Sequence, residues 1–157
     1  MDGSVGQLRY PWETPPDEAE ATEVAEGVLW LRLPLPMALD HVNVYALDEG
    51  DHWTVVDTGV HSRRSVAMWE AILNGPLGAK PVGRVLLTHH HPDHVGMAGW
   101  LMQHGAELLT SRTAYLMARM LILDEEDRPT RQAVDYWVAA GMDAGHLKKR
   151  LEERPFN

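Results

Sequence analysis

Thr88-His89-His90-His91-Pro92-Asp93-His94-Val95-Gly96 follows directly on the apolar run Val85-Leu86-Leu87 and leads into a second apolar pattern. Four of the nine histidines fall within six residues, with an aspartate among them. The run reads as a buried strand, and open α/β sheets bind ligands at the carboxyl ends of their strands. Residues two apart in an extended chain point to one side. His89 and His91 therefore converge, with His90 turned away, and His94 closes a third corner from the first turn of a helix. Three neutral imidazoles with an open fourth position are the ligand set of a catalytic zinc site. Asp93 is a harder oxygen donor, adjacent but pointing elsewhere, and suits a second metal.

Blander readings compete with this one. Expression tags are terminal and contain no Pro-Asp. A lone histidine is usually a solvated loop residue, but four with an aspartate at a strand-to-helix junction point to metal binding. The pattern His-x-His-x-Asp-His after a strand resembles the metallo-β-lactamase superfamily.

The remaining sequence bounds the answer. The chain has 157 residues, enough for one domain with a core. It has no cysteine, so a metal must be held by nitrogen and oxygen, and a reducing, cytoplasmic setting is expected. No apolar run reaches the length of a membrane span, and the N-terminus lacks the apolar segment of a signal peptide. The formal charge of −9 argues against nucleic acid as a partner and leaves small-molecule substrates open.

Taken in order, residues 1–20 are rich in Pro, Glu and Asp and read as an extended arm. Residues 21–157 read as one domain. Val28 to Leu33 is a first strand; Val42 to Leu47 and Trp53 to Val56 form a hairpin across Asp48-Glu49-Gly50-Asp51. The hairpin runs into Asp57-Thr58-Gly59. A helix from Ser62 to Asn74 and a strand from Pro81 to Leu87 follow, so a parallel crossover is expected. Pro92 opens one helix to about His104, in which Gly96 and Gly99 allow a close approach to the sheet. A short strand spans Ala106 to Leu109. Helices follow from Ser111 to Leu123, Thr130 to Ala140 and Asp143 to Arg154, with a solvated acidic turn at Asp124 to Asp127. The methionine-rich Ser111–Leu123 helix reads as core, with an apolar groove as the alternative.

The resemblance implies a four-layer αββα sandwich with the metal site at one edge between its sheets. It implies His89, His91 and His94 as first-metal ligands and Asp93 as a second-metal ligand and the catalytic carboxylate. Asp57 matches the aspartate that supports the site from behind, although a strand-to-helix capping role suits it equally. Complete members add a later histidine, a bridging aspartate and a final histidine. Downstream of the motif only His104 and His146 remain. His104 reads as a partner of a helix C-terminus, and His146 lies in a helical context. The chain is thus expected to be the N-terminal half of the fold with extra C-terminal helices, truncated after Asn157.

Three functions compete. The first is a metal-dependent hydrolase holding one or two zinc ions, with iron or manganese as alternatives, acting on a small ester, thioester or lactone. The second is a catalytically incomplete metal-binding or interaction fragment. The third is an iron-dependent oxidoreductase of the same fold. Val44, Ala46, Val55 and Leu86 are expected to lie on an uncovered sheet face, so the chain is expected to be a homo-oligomer or to need its missing half.

Overall fold

The computed structural model describes residues 11–123 and 128–152. The chain divides by its internal contacts after Thr110 into two compact units, Met1–Thr110 and Ser111–Asn157. The expected span 21–157 runs across both.

The first unit holds six strands: β1 (Thr22–Ala25), β2 (Val28–Pro34), β3 (His41–Asp48), β4 (Trp53–Val56), β5 (Val82–Leu87) and β6 (Glu107–Thr110). They form one mixed sheet in sequence order. The first four run antiparallel; β5 joins β4, and β6 joins β5, in parallel. Parallel neighbours need long crossovers. Helix α1 (Arg63–Asn74) supplies one, and α2 (Pro92–Val95) with α3 (Ala98–Gln103) supplies the other. Among the described residues no helix is long and apolar enough to cross a membrane.

Strand β1 was not expected. It is four residues long and alternates half-buried with exposed positions, which gives little periodicity to read. Its turn is set by Gly27 at φ +70°, whose N–H donates to Glu23 Oε1 over 3.0 Å. The expected arm at 1–20 lies partly outside the described residues. Its described part carries no helix or strand and meets the body through Arg64 and Glu18.

Strand pairing fixes which side chains share a face. Leu31, Leu33, Val44, Ala46, Val55 and Val85 are buried together with Met68, Trp69 and Ile72 of α1 and Ala98 and Leu101 of α3. The other face carries a row across five strands, Trp30–Tyr45–Val56–Leu86–Leu109, each opposite the next. Tyr45, Leu86 and Leu109 in it are 36%, 36% and 37% exposed. The expectation that Val44, Ala46 and Val55 stay in water is therefore corrected: they lie under the helices. Leu86 is one residue out of phase with Val85, and a strand's period of two places it on the opposite face.

The helix expected from Pro92 to His104 is broken in two. Met97 N–H is drawn to Gly59 O and to Thr58 Oγ1, each at 3.1 Å, instead of continuing the helical ladder. A Cβ on Gly96 would lie 2.6 Å from His61 N and from Pro92 O, and 2.8 Å from Gly59 O. The close approach is thus to the loop after β4 and not to the sheet. Gly99 has nothing within 4 Å of its Cβ position.

The second unit holds α4 (Arg112–Leu123), α5 (Arg131–Ala139) and α6 (Ala144–Glu152). Side-chain caps start the last two: Thr130 Oγ1 accepts from Ala133 N–H, and Asp143 Oδ1 accepts from Gly145 and His146 N–H. Helix α4 does not form a core as expected. Ala114 is its only buried residue, whereas Leu116, Ile122 and Leu123 are exposed. The acidic turn at Asp124 to Asp127 lies outside the described residues.

Candidate metal centre

Two parallel neighbours bring the site together. The ends of β4 and β5 abut, with Val56 opposite Leu86 and Asp57 N–H donating to Leu86 O at 2.9 Å. The segments beyond them, Asp57-Thr58-Gly59 and Thr88 to His91, therefore leave the sheet side by side. Asp57 takes φ +61°, a left-handed conformation that aspartate tolerates better than most residues. Thr58 ties the two segments together. Its N–H and hydroxyl both donate to His94 O, at 2.9 and 2.7 Å, and its hydroxyl oxygen accepts from Met97 N–H. Trp69 Nε1 in turn donates to Thr58 O at 2.8 Å, anchoring the loop to α1.

The buried Asp57 carboxylate is the hub. Oδ1 accepts from Thr88 N–H at 2.9 Å. Oδ2 accepts from the Thr88 hydroxyl at 2.7 Å and pairs with His94 Nδ1 at 2.8 Å. The Thr88 oxygen also lies 3.0 Å from His89 Nδ1. Asp57 thus reaches His94 directly and His89 through one hydroxyl. Sequence reading singled out Asp57 but neither Thr58 nor Thr88; the Thr on either side of a matched motif was the available signal.

The imidazoles lie together. The His89 ring centroid is 4.5 Å from that of His91 and 4.1 Å from that of His94, while His90 stands 6.3 Å from His89. Asp93 Oδ2 is 3.2 Å from His94 Nε2. The expectation that Asp93 points elsewhere is corrected: it addresses the same nitrogen that His94 would offer a metal. Burial, and then repulsion from His94 and His91, hold His89 below the usual imidazole range. That favours the neutral ring, the form that ligates.

Among the described residues no three His, Asp or Glu side chains close around one point at coordination distance. The donors are adjacent, not convergent. Their chemistry nevertheless fits a cation. Two ring nitrogens, on His89 and His94, are already engaged at Nδ1, which leaves Nε2 on each. His94 Nε2 and Asp93 Oδ2 are a nitrogen and an oxygen donor of the kind that would suit a divalent cation. The other two histidines downstream are occupied. His104 Nδ1–H donates to Trp100 O at 2.8 Å, and His146 pairs with Asp143 within the helical unit.

A mixed sheet that gathers imidazoles and a carboxylate beyond one parallel strand, backed by a buried aspartate from its neighbour, defines a metallo-hydrolase-like α/β fold. The sequence profile of the metallo-beta-lactamase superfamily matches residues 37–132. The chain belongs to that superfamily, and membership implies a divalent metal. It is 36% identical over 73 residues to a probable metallo-hydrolase of Bacillus subtilis (strain 168), YqjP; the match covers 46% of this chain and 23% of that protein. Its fold matches a beta-lactamase domain protein from Burkholderia ambifaria with a TM-score of 0.72 and 33% identity, over 92% of this chain and 45% of the other. It also matches the metallo-beta-lactamase FIM-1 from Pseudomonas aeruginosa in the mono-zinc form, with a TM-score of 0.55 and 25% identity, over 70% and 48%. The chain spans under half the length of each of these solved relatives.

Proposed function

We propose that this chain carries metal-binding machinery of a zinc-dependent hydrolase acting on a small ester, thioester or lactone. One observation carries the reading: His89, His91 and His94 lie ring to ring with Asp93 alongside and Asp57 behind. His89, His91 and His94 are the ligands we assign, and Asp93 shares the position addressed by His94 Nε2. Held by these residues, a divalent cation would supply Lewis acidity and lower the pKa of water toward neutrality. Asp57 orients His94 and keeps its Nδ1 engaged, a role that carboxylates behind metal-binding histidines commonly fill. Imidazole donors and the lack of cysteine suit zinc, and the FIM-1 relative carries zinc in its solved form. The lack of cysteine also supports a cytoplasmic setting, and the charge of −9 supports a small substrate over nucleic acid.

Metal analysis of the purified chain tests the ligand assignment. His91→Ala is expected to abolish stoichiometric zinc and His90→Ala to leave it; equal effects would sink the assignment. A panel of esters, thioesters, lactones and nucleic acids, given to the longest natural form of the protein, tests the substrate class. Nuclease activity without ester or thioester hydrolysis would reverse it.

A second reading, association, is favoured by the row Trp30, Tyr45, Val56, Leu86 and Leu109. A partly exposed apolar row of this kind supports covering by a second copy or by further layers of the same fold. Sedimentation of the wild type and Leu86→Asp tests it, with a smaller species expected for the variant.

A further inference from the structure

We infer that Thr88 is a positioning residue: its hydroxyl relays Asp57 to His89 and fixes which His89 nitrogen is free to bind a metal. A carboxylate only accepts, so the single hydrogen of the Thr88 hydroxyl goes to Asp57 Oδ2, 2.7 Å away. The Thr88 oxygen then has only lone pairs to offer, and His89 Nδ1, 3.0 Å away, must bring the hydrogen. A neutral imidazole has one N–H. With it on Nδ1, the lone pair sits on Nε2.

The same carboxylate oxygen meets His94 Nδ1 at 2.8 Å. One buried aspartate therefore sets two of the three rings, one directly and one at second hand. His91 has no side-chain hydrogen bond to match among the described residues, although its ring packs against His89 and His90. Thr88 is itself exposed, and its backbone N–H holds Asp57 Oδ1 independently of its side chain. Removing the hydroxyl should thus leave the fold and the Asp57–His94 pair in place while releasing His89.

The test uses Thr88→Val, which keeps the shape and removes the hydroxyl, and Thr88→Ser, which keeps the hydroxyl. Long-range nitrogen–proton NMR on the metal-free chain at about pH 8, where imidazoles are neutral, reads each ring's tautomer. The wild type is expected to show His89 as the Nδ1–H form, Thr88→Ser to retain it, and Thr88→Val to move the proton toward Nε2 with His94 unchanged. A wild-type His89 carrying its proton on Nε2, or a Thr88→Val protein with an unaltered tautomer, would overturn the inference; the first needs no variant to fold. Zinc titration of the same proteins separates the relay from the ligand assignment on which its consequence rests. Loss of the Thr88 hydroxyl should weaken zinc about tenfold, the lower end of what supporting residues contribute. A shifted tautomer with unchanged zinc affinity would confirm the relay and refute His89 as a ligand.

Discussion

Asp57→Asn is the substitution that most sharply tests the arrangement of the site. Asparagine keeps the size of the side chain and tolerates the left-handed backbone at φ +61°. What changes is one oxygen. If the amide oxygen stays on Thr88 N–H, as Oδ1 does now, the NH₂ group takes the place of Oδ2 and turns an acceptor into a donor. It then faces His94 Nδ1 and the Thr88 hydroxyl, 2.8 and 2.7 Å away in the wild type. His94 must accept at Nδ1 and carry its proton on Nε2. The Thr88 hydroxyl must accept from the amide and donate to His89 Nδ1, which forces the same change there. Both rings then present an N–H where a lone pair is needed. The fold should survive. Hydrogen bonds to a charged group contribute about 1.5–3 kcal/mol and neutral ones about 0.5–1.5. The three bonds are exchanged and not lost, each giving up about 1–1.5 kcal/mol, so a stability cost of about 3–4.5 kcal/mol is expected. Zinc affinity should fall by about 10- to 100-fold, or about 1.4–2.7 kcal/mol. Asp57→Ala would lose the bonds outright, at a larger cost in stability. Urea unfolding of the metal-free chain and competition for zinc against a chromophoric chelator measure the two effects separately. A folded Asp57→Asn protein that binds zinc with wild-type affinity would refute the tautomer reasoning.

Two glycines in one segment should behave oppositely. Gly96→Ala places a Cβ against three backbone atoms at 2.6–2.8 Å and should destabilise by about 1–3 kcal/mol, whereas Gly99→Ala, with open space around it and a helical position, should be neutral or stabilise by up to about 1 kcal/mol; equal urea midpoints would contradict the loop approach. In the metal-free chain His89 should titrate below 6.5, since burial and its neighbours His94 and His91 lower it. The sign follows: the unfolded chain binds more protons between the folded and unfolded values, so this residue makes stability fall as pH drops through 6.5 toward the folded midpoint. An NMR midpoint for His89 at or above 6.5 would remove that contribution. Thr58→Val should cost only about 1 kcal/mol, because His94 O keeps Thr58 N–H and Met97 N–H keeps Gly59 O, and a loss several times larger in a denaturant titration would show that the hydroxyl holds more than these two contacts.

Much of this site was legible because it is local. His89, His91, Asp93 and His94 lie within six residues, and the strand before them announces itself by Val85-Leu86-Leu87. Asp57 was legible only through its Asp-Thr-Gly setting. What stayed hidden depends on pairing across distance. That Thr58 grips the carbonyl of His94, 36 residues on, is encoded in no local pattern. The helix break at Gly96 and Met97 follows from the same grip, so helical periodicity alone predicted a continuous helix. The error over Val44, Ala46 and Val55 has a related origin. Each residue is apolar and each lies in a strand, but the face it takes is set by register. Register becomes readable only once Val55 is known to lie opposite Val85 and Val56 opposite Leu86. Helix α4 misled for another reason: an apolar helix reads as core whether or not anything covers it.

Asp57 is where local preference and the needs of the site conflict. A left-handed aspartate costs about 1–2 kcal/mol against an ordinary backbone. The conformation breaks the chain out of β4 while its N–H still holds Leu86 O, and it leaves the carboxylate beneath the neighbouring strand's exit. Three donors then reach it: Thr88 N–H, the Thr88 hydroxyl and His94 Nδ1. At about 1.5–3 kcal/mol for each bond to a charged group, any two of them more than offset the strain. The sheet's parallel pairing is what makes this possible. An antiparallel β5 would carry its exit to the opposite end of the sheet, and Asp57 would be left buried without those donors. The crossover through α1 is therefore a requirement of the site as well as of the core, since it brings the carboxyl ends of β4 and β5 to the same edge.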